Sequence, residues 1–480
     1  MKTIKKVFFS AAIASLAFVS CKEEKIKEEK SAGIVLENMD TSVKPTDDFF
    51  RHVNGTWLDK TEIPDDQTSW GGFNQLRKKT DADVLDILNT AIEQKDFPKI
   101  KDAEGNEIDS DQEKAVNYYQ TIMDTVARNK QGKAPVMPYL AKVNEIKTKK
   151  DVETYLTNMA PYGGGGFYGF GVYNDLKNSS QYAGYMGGGS LGLSRDYYVD
   201  AAVKDKLDKY QEFMAKMLQE FGDDEATAKK NAATIVDFET SLAKPMMTKE
   251  ESRDIRKLYN PMSIADLQNL APAIDWQAHL NGIGVKDLDT IIVTDLGYFK
   301  AMSDIFSKRS VEDIKLLLRW NTINSSLGSL STDLETANWE FYSKEMRGAK
   351  KQRPRDESAL SNLNGAIGEA LGKLYVEKQL PWMSEVTKEK ALEKLHKLTV
   401  KIAYPDVWKD YSKLQVTGLE DGGSYFENAI NVTKWNYAEN MEKLGKEVDR
   451  TEWGMSPQTV NAYFNPVNNE IVFPAAILQP

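Results

Sequence analysis

Side chains that take part in metal or nucleophilic chemistry are scarce in this 480-residue chain. Histidine occurs three times, at His52, His279 and His396, far apart in sequence, and cysteine once, at Cys21. Zinc is held by histidine nitrogen, thiolate sulfur or carboxylate oxygen, and a helical zinc pair needs two histidines one turn apart. No such pair exists in these 480 residues, and they contain no HExxH motif. One cysteine forms neither an internal disulfide nor a thiolate zinc site. The three histidines therefore read as ordinary core or surface residues. No residue is assigned as metal ligand, general base or transition-state stabiliser.

The residues near the C-terminus suit a different task, holding an extended chain. Val460-Asn461-Ala462-Tyr463-Phe464-Asn465-Pro466 is followed by a polar turn at Val467-Asn468-Asn469 and then by Glu470-Ile471-Val472-Phe473-Pro474-Ala475-Ala476-Ile477-Leu478. Two short extended segments around such a turn predict a hairpin. Pro466 and Pro474 lack a backbone donor, so they belong at strand ends or on an edge. An edge strand offers free N–H and C=O groups, to which an extended peptide can add as a further strand. A side-chain amide such as that of Asn461 donates to a carbonyl and accepts from an N–H. On pattern alone, a purely structural hairpin is the favoured reading.

The elements that must position this hairpin are mostly helical. Leu207, Tyr210, Met214, Met217, Leu218 and Phe221 share one helical face, ended by Gly222. Ile235, Phe238 and Leu242 line another. Further helices are predicted near 74–93, 112–127, 311–328, 334–347, 357–379 and 384–398. Strand-like runs lie at Thr290–Thr294, Thr399–Ala403 and Glu470–Phe473. Gly163–Gly166 and Gly187–Gly189 flank an aromatic segment that reads as a glycine-rich hairpin or loop. It is no phosphate cradle, because no Gly-Lys-Ser/Thr follows and no GxGxxG opens a helix. The length exceeds one core and predicts two or three folding units. Lys and Arg number 62 against 72 Asp and Glu, a net charge of −10. That balance argues against a nucleic-acid partner, which needs basic surface.

The first residues read as an address. Lys2, Lys5 and Lys6 precede the apolar run Val7–Val19, which is too short for a membrane span and fits a secretory signal. Val19-Ser20-Cys21 resembles a bacterial lipobox with Phe18 where leucine is usual. This predicts a signal peptide over 1–20 and lipidation of Cys21. The mixed charges of Lys22–Lys30 predict a solvated tether over 21–44, and Lys22-Glu23-Glu24 resembles the surface-export signal of Bacteroidetes lipoproteins. The lipid would then be the membrane anchor, with the protein exported to the cell envelope, at the outer membrane and surface-exposed.

A resemblance ties these segments together. Val460-Asn461-Ala462-Tyr463 with Ile471-Val472-Phe473-Pro474-Ala475-Ala476-Ile477-Leu478-Gln479-Pro480 resembles the substrate-binding signature of the M13 (neprilysin-like) metallopeptidases. Asp47-Asp48-Phe49-Phe50, Asn54-Gly55-Thr56-Trp57 and Ile63-Pro64 resemble the family's opening motif. Tyr118-Tyr119, Met123-Asp124, Lys177-Asn178-Ser179, Gly192-Leu193-Ser194-Arg195-Asp196-Tyr197-Tyr198 and Glu239…Leu242-Ala243 follow in the family's order. So do Arg253-Asp254, Tyr259-Asn260, Asp275-Trp276, Gly368-Glu369-Ala370-Leu371-Gly372…Leu374-Tyr375 and Tyr404-Pro405-Asp406…Trp408. The resemblance covers Pro45 to Pro480.

It implies a zinc peptidase with peptide substrates and a mainly α fold. A large helical cap lobe would be joined to the start of a thermolysin-like α+β catalytic lobe. The implied domains are 45–410 for the helical part, 411–459 for a connection and 460–480 for the opening of the catalytic lobe. Asn461 and Ala462 match the positions that bind the substrate backbone. The family's zinc ligands, an HExxH helix and a later Glu, would lie beyond Pro480. The expectation is a polypeptide without the zinc site, inactive by itself, with a C-terminal tail that is its least stable part and exposes Ile471, Phe473 and Ile477. A non-catalytic peptide-binding surface lipoprotein and a helical glycan-binding lipoprotein are the alternatives.

Overall fold

Helix starts are written into this chain as Ser, Thr and Asp residues whose side chains accept from the backbone N–H three residues on. Asp48, Ser110, Asp224, Asp275, Asp295, Ser310 and Ser424 all cap helices in this way. Each satisfies a donor that the helix leaves unpaired and contributes about 1 kcal/mol. The computed structural model describes residues 35–101, 105–163, 166–379 and 399–479. The expected signal peptide, Cys21, most of the tether, the expected helix at 384–398 and His396 lie outside the described residues.

The chain divides into two units, Met1–Glu62 and Ile63–Pro480. The described part of the first holds a short turn at Leu36–Asn38 and the helix Phe49–Lys60. Gly55 is buried there, and a Cβ at that position would stand 2.5 Å from Asp40 Cβ, so a larger residue is excluded. His52 Nδ1 lies 2.7 Å from the Val43 carbonyl.

The second unit is mainly helical, as the apolar periodicity predicts. Gly72–Gln94, Lys204–Glu220, Glu225–Ala243, Val311–Ser326 and Arg355–Gln379 are among its longer helices. Some boundaries differ from expectation for local reasons. The span expected at 112–127 is two helices, Asp111–Met123 and Thr125–Gln131, broken at Asp124, whose carboxylate accepts from Ala127 N. The span expected at 334–347 is Thr332–Trp339 followed by a π-helical turn, Glu340–Glu345. Arg355–Gln379 is interrupted at the buried Ile367, which has φ −136° and ψ 50°.

Among the described residues the strands form three sheets. β1 (Lys99–Lys101) and β2 (Glu107–Asp109) make a small hairpin. β3 (Tyr168–Asn174) and β4 (Tyr182–Gly188) are the antiparallel arms of the glycine-rich hairpin. They extend through β6 (Thr290–Val293) to β5 (Asn260–Ser263) in the order β3-β4-β6-β5. The third sheet joins β7 (Thr399–Ala403), β8 (Tyr463–Asn465) and β9 (Glu470–Pro474) in the order β7-β9-β8.

Two apolar cores fill this unit. One is rich in rings, with Phe213 stacked on Phe341 at 4.5 Å between centroids, and Tyr210 and Trp320 fully buried beside them. The other gathers Leu88, Ile122, Leu363, Leu371 and Tyr375 from three helices with Ala403, Trp435 and Ala475. This second core carries the C-terminal sheet.

Candidate active site: a substrate shelf

Residues 463–465 and 470–474 pair antiparallel, with Tyr463 opposite Val472, Phe464 opposite Ile471 and Asn465 opposite Glu470. The turn between them is held by Asn465, whose Oδ1 accepts from Val467 N at 3.1 Å and Asn468 N at 3.3 Å. Asn469 takes the left-handed conformation, φ 49°, which an asparagine tolerates better than most residues. Two features depart from a simple hairpin. Ala475–Leu478 is a 3-10 turn, not strand, and Ala475 and Ala476 are buried under it. β9 is the central strand, because β7 pairs with it in parallel from Thr399–Glu470 to Ala403–Pro474. Pro474 is the last residue of its strand, where a missing donor costs least.

A parallel pair needs a crossover connection. The segment 411–459, read above only as a connection, contains the helix Tyr425–Met441, whose Val432 and Trp435 enter the second core. The return path then lies on the Arg355–Gln379 helix. Ser456 Oγ donates to Asn364 Oδ1 at 2.8 Å, and Gln458 Nε2 donates to Asn364 Oδ1 and to the Gly368 carbonyl. The approach is close enough to require glycine on the helix. A Cβ at Gly372 would stand 2.8 Å from Pro457 Cδ, and one at Gly368 would stand 3.1 Å from Ser456 Cβ. Ala476 N donates back to the Pro457 carbonyl at 2.9 Å. The 456–458 segment is thereby fixed, and Asn461-Ala462-Tyr463 is delivered to the sheet edge.

One side of the sheet faces the body. Val472 is fully buried, and Tyr463 Oη accepts from Gly454 N at 2.7 Å. Lys401 Nζ meets Glu470 Oε2 at 2.6 Å with side chains only 8% and 2% exposed, and Lys401 also donates to the Glu452 carbonyl. The other side is apolar: Val400, Ile402, Ile471, Phe473 and Phe464 alternate with the inward residues, Ile402 being 42% and Phe464 54% exposed. Ile471, Phe473 and Ile477 are each half-buried.

Asn461 and Ala462 sit at the entry to β8. Asn461 is exposed, and its Oδ1 accepts from Ala462 N at 2.8 Å. That bond turns the amide so that its acceptor end is used locally. Nδ2 meets no protein acceptor among the described residues. Among the described residues β8 has a neighbour only on its β9 side, so there the opposite edge carries free backbone donors and acceptors. The arrangement is a short edge strand with an amide donor at its start.

The described histidines stand elsewhere. His279 is buried with its Nδ1 2.8 Å from Thr157 Oγ1 and its ring edge-on to Tyr168, and burial pushes its pKa down to about 4. Among the described residues no group of three or more His, Cys, Asp or Glu side chains is placed to hold a metal ion. Donor chemistry for zinc is therefore not assembled in the described part. Sequence reasoning found the β7 strand but missed its parallel pairing with β9, the Lys401–Glu470 pair and Gln458. The available signals were a lysine and a glutamate placed in otherwise apolar strands and the Gly368-x-x-x-Gly372 spacing on a helix.

The family model of peptidase family M13, its N-terminal part, matches residues 45–381. Neprilysin-3 of Drosophila melanogaster is 27% identical over 93% of this chain and 62% of its own length. Endothelin-converting enzyme 1 of Mus musculus is 29% identical over 93% of this chain and 62% of its own. The chain thus spans 62% of the length of these relatives. Among solved structures, the Mycobacterium tuberculosis zinc metalloprotease Zmp1 in complex with inhibitor superposes with a TM-score of 0.82 at 31% identity. The match covers 93% of this chain and 70% of that one. PepO from Lactobacillus rhamnosis, 18% identical with a TM-score of 0.75, shares the fold. The chain belongs to peptidase family M13, whose members are zinc-dependent peptidases of mainly helical fold.

Proposed function

We propose that this chain serves zinc-dependent hydrolysis of peptides, and that its own part in the reaction is to hold substrate. The observation that carries this is the free edge of β8, opened by Asn461 and Ala462, on a chain that superposes on a zinc metalloprotease over 93% of its length. A substrate adds to β8 as a further strand. Its backbone takes the outward N–H and C=O groups, and Asn461 Nδ2 donates to one of its carbonyls. When bound in a family member, zinc polarises the scissile carbonyl and supplies an activated water. The 480 residues contain no HExxH, and the described side chains do not fit a zinc site. The polypeptide by itself is therefore proposed to bind peptides without cutting them.

The same reading extends to location. Lipidation of Cys21 anchors the exported protein to the cell envelope, supported by the apolar run that precedes it and the charged tether that follows. Among the described residues no helix is long and apolar enough to cross a membrane. Incorporation of labelled palmitate into wild type, and its loss in Cys21→Ser, checks this.

Two assays test the enzymatic reading. Cleavage of a fluorogenic peptide by the purified 480-residue chain with added zinc is expected to be absent; chelator-sensitive cleavage overturns that part. Peptide binding by fluorescence polarisation is expected, and Asn461→Ala should weaken it about threefold to tenfold, the worth of one neutral hydrogen bond. Peptide affinity unchanged by Asn461→Ala argues against the shelf.

A further inference from the structure

The second unit has a cavity of about 470 Å³ that the shelf does not use. Its volume falls in the range of small-ligand sites. Its walls come from the 66–68 segment, from Glu335 and Trp339, and from the loop that leads into the Arg355–Gln379 helix. The loop is tied down, because Lys350 N and Lys351 N both donate to the Asp65 carbonyl and Ala349 N donates to Ser343 O. Gly348, at φ 80°, makes the turn that brings the loop round.

The charges lining it do not balance. Arg347, Lys351, Arg353 and Arg355 face two carboxylates, Asp66 and Glu335. Both carboxylates are already matched. Glu335 is held by Arg355 at 2.9 Å and by the buried Arg128 at 3.3 Å, and Asp66 lies 3.8 Å from Lys78. Arg347 and Lys351 have no side-chain hydrogen bond or ion pair among the described residues. Arg353 has one hydrogen bond, to the neutral Gln67 Oε1 at 3.3 Å. Three cations thus line one cavity without an ion pair of their own, Arg353 sharing only the longer-range field of Asp81. A planar guanidinium fork matches a carboxylate with two parallel bonds. Trp339 on the wall offers an apolar surface to a side chain attached to that carboxylate.

The cavity and the shelf share one helix. Ser358 lines the cavity, and Gly368 bears the 456–458 segment that delivers Asn461. Ten residues of helix, bent at Ile367, span at most about 15 Å. An extended peptide covers that in four or five residues, at about 3.3 Å each.

We propose that this cavity receives a carboxylate of a short peptide, either its C-terminus or an acidic side chain, while the peptide backbone lies on β8. The proposal rests on the shelf reading above. The cation set would then favour oligopeptides whose anionic end lies a few residues from the strand.

Three labelled pentapeptides test it against the full 480-residue chain at low ionic strength: one with a free C-terminal carboxylate, its C-terminal amide, and an amide carrying one glutamate. The carboxylate peptide is expected to bind about tenfold more tightly than its amide, as a charge-assisted bond would give. The Arg347→Gln/Arg353→Gln double variant should remove that difference and leave the amide's affinity unchanged. Recovery of affinity by the glutamate peptide assigns the site to side-chain carboxylates. Equal binding of all three peptides, or a difference that survives the double variant, overturns the proposal and leaves the shelf standing. Calorimetry with citrate separates the two readings if no peptide binds. Citrate held at least about tenfold more tightly by wild type than by the double variant keeps the anion site while the shelf fails. Equal citrate affinity removes the anion site as well.

Discussion

Lys401 and Glu470 show what a buried charge pair does in a small sheet. Thr399, Glu470 and Asn465 are in register across the three strands, and the 2.6 Å ion pair runs diagonally from Glu470 on that rung to Lys401, two residues along β7 from Thr399. Removing one partner strands the other in a dry site, which costs about 3–5 kcal/mol, whereas replacing both by apolar residues is often neutral or stabilising. Lys401→Met and Glu470→Met are therefore each expected to lower the melting temperature sharply, and Lys401→Met/Glu470→Met far less than their sum. Additive losses in that double-mutant cycle would refute the coupling.

A second buried carboxylate, Glu239, gives a pH signature. It accepts from Gly192 N, Tyr198 Oη and Tyr210 Oη, yet full burial outweighs these bonds and raises its pKa from 4.5 to about 7. The folded state therefore holds its proton more tightly than the unfolded chain. Its contribution is complete below pH 4.5 and is lost as pH rises to about 7, at most about 3 kcal/mol. Glu239→Gln should flatten the stability profile across that window in urea titrations. Nothing in the sequence marks Glu239 as buried except its place on the stripe of Ile235, Phe238 and Leu242.

At the scale of elements, the helices were legible because burial of one face imposes a period on the apolar residues, as in Lys204–Glu220 and Glu225–Ala243. Their ends were less so, since Asp124 and the π-helical turn at Glu340–Glu345 interrupt a continuous stripe. The hairpin was legible from its turn chemistry. Its pairing with Thr399–Ala403 was not, because a parallel partner is brought in by the whole crossover and leaves no local mark. The Gly368 and Gly372 contacts explain why the crossover ends where it does. Gly372→Leu must displace Pro457. It is expected to destabilise the chain by about 1–3 kcal/mol, the usual cost of overpacking, and to raise amide exchange across 456–465. Unchanged exchange there would mean that the 456–458 segment is held by other contacts.

Taken as a whole, the unit from Ile63 to Pro480 rests on two apolar cores of different standing. The first packs side chains of many helices against Tyr168, Met186, Ile291 and Val293 of the β3-β4-β6-β5 sheet. The second supports the C-terminal sheet from one side, through Ala403 and Ala475, and leaves Ile402 and Phe464 largely in solvent on the other. Apolar side chains exposed equally in the folded and unfolded states contribute no hydrophobic stabilisation. Opening of β8 and β9 therefore forfeits less than opening of any helix in the first core. Native-state hydrogen exchange is expected to show residues 463–479 opening at lower free energy than Val311–Ser326. Equal protection of the two segments would count against it. The same measurement reads the shelf directly. A peptide adding to the free edge pairs the outward N–H groups of β8, so saturating peptide should slow exchange at Tyr463–Asn465 and leave Val311–Ser326 unchanged. Slowing of both segments would instead mean global stabilisation by mass action, with the peptide bound somewhere other than the edge.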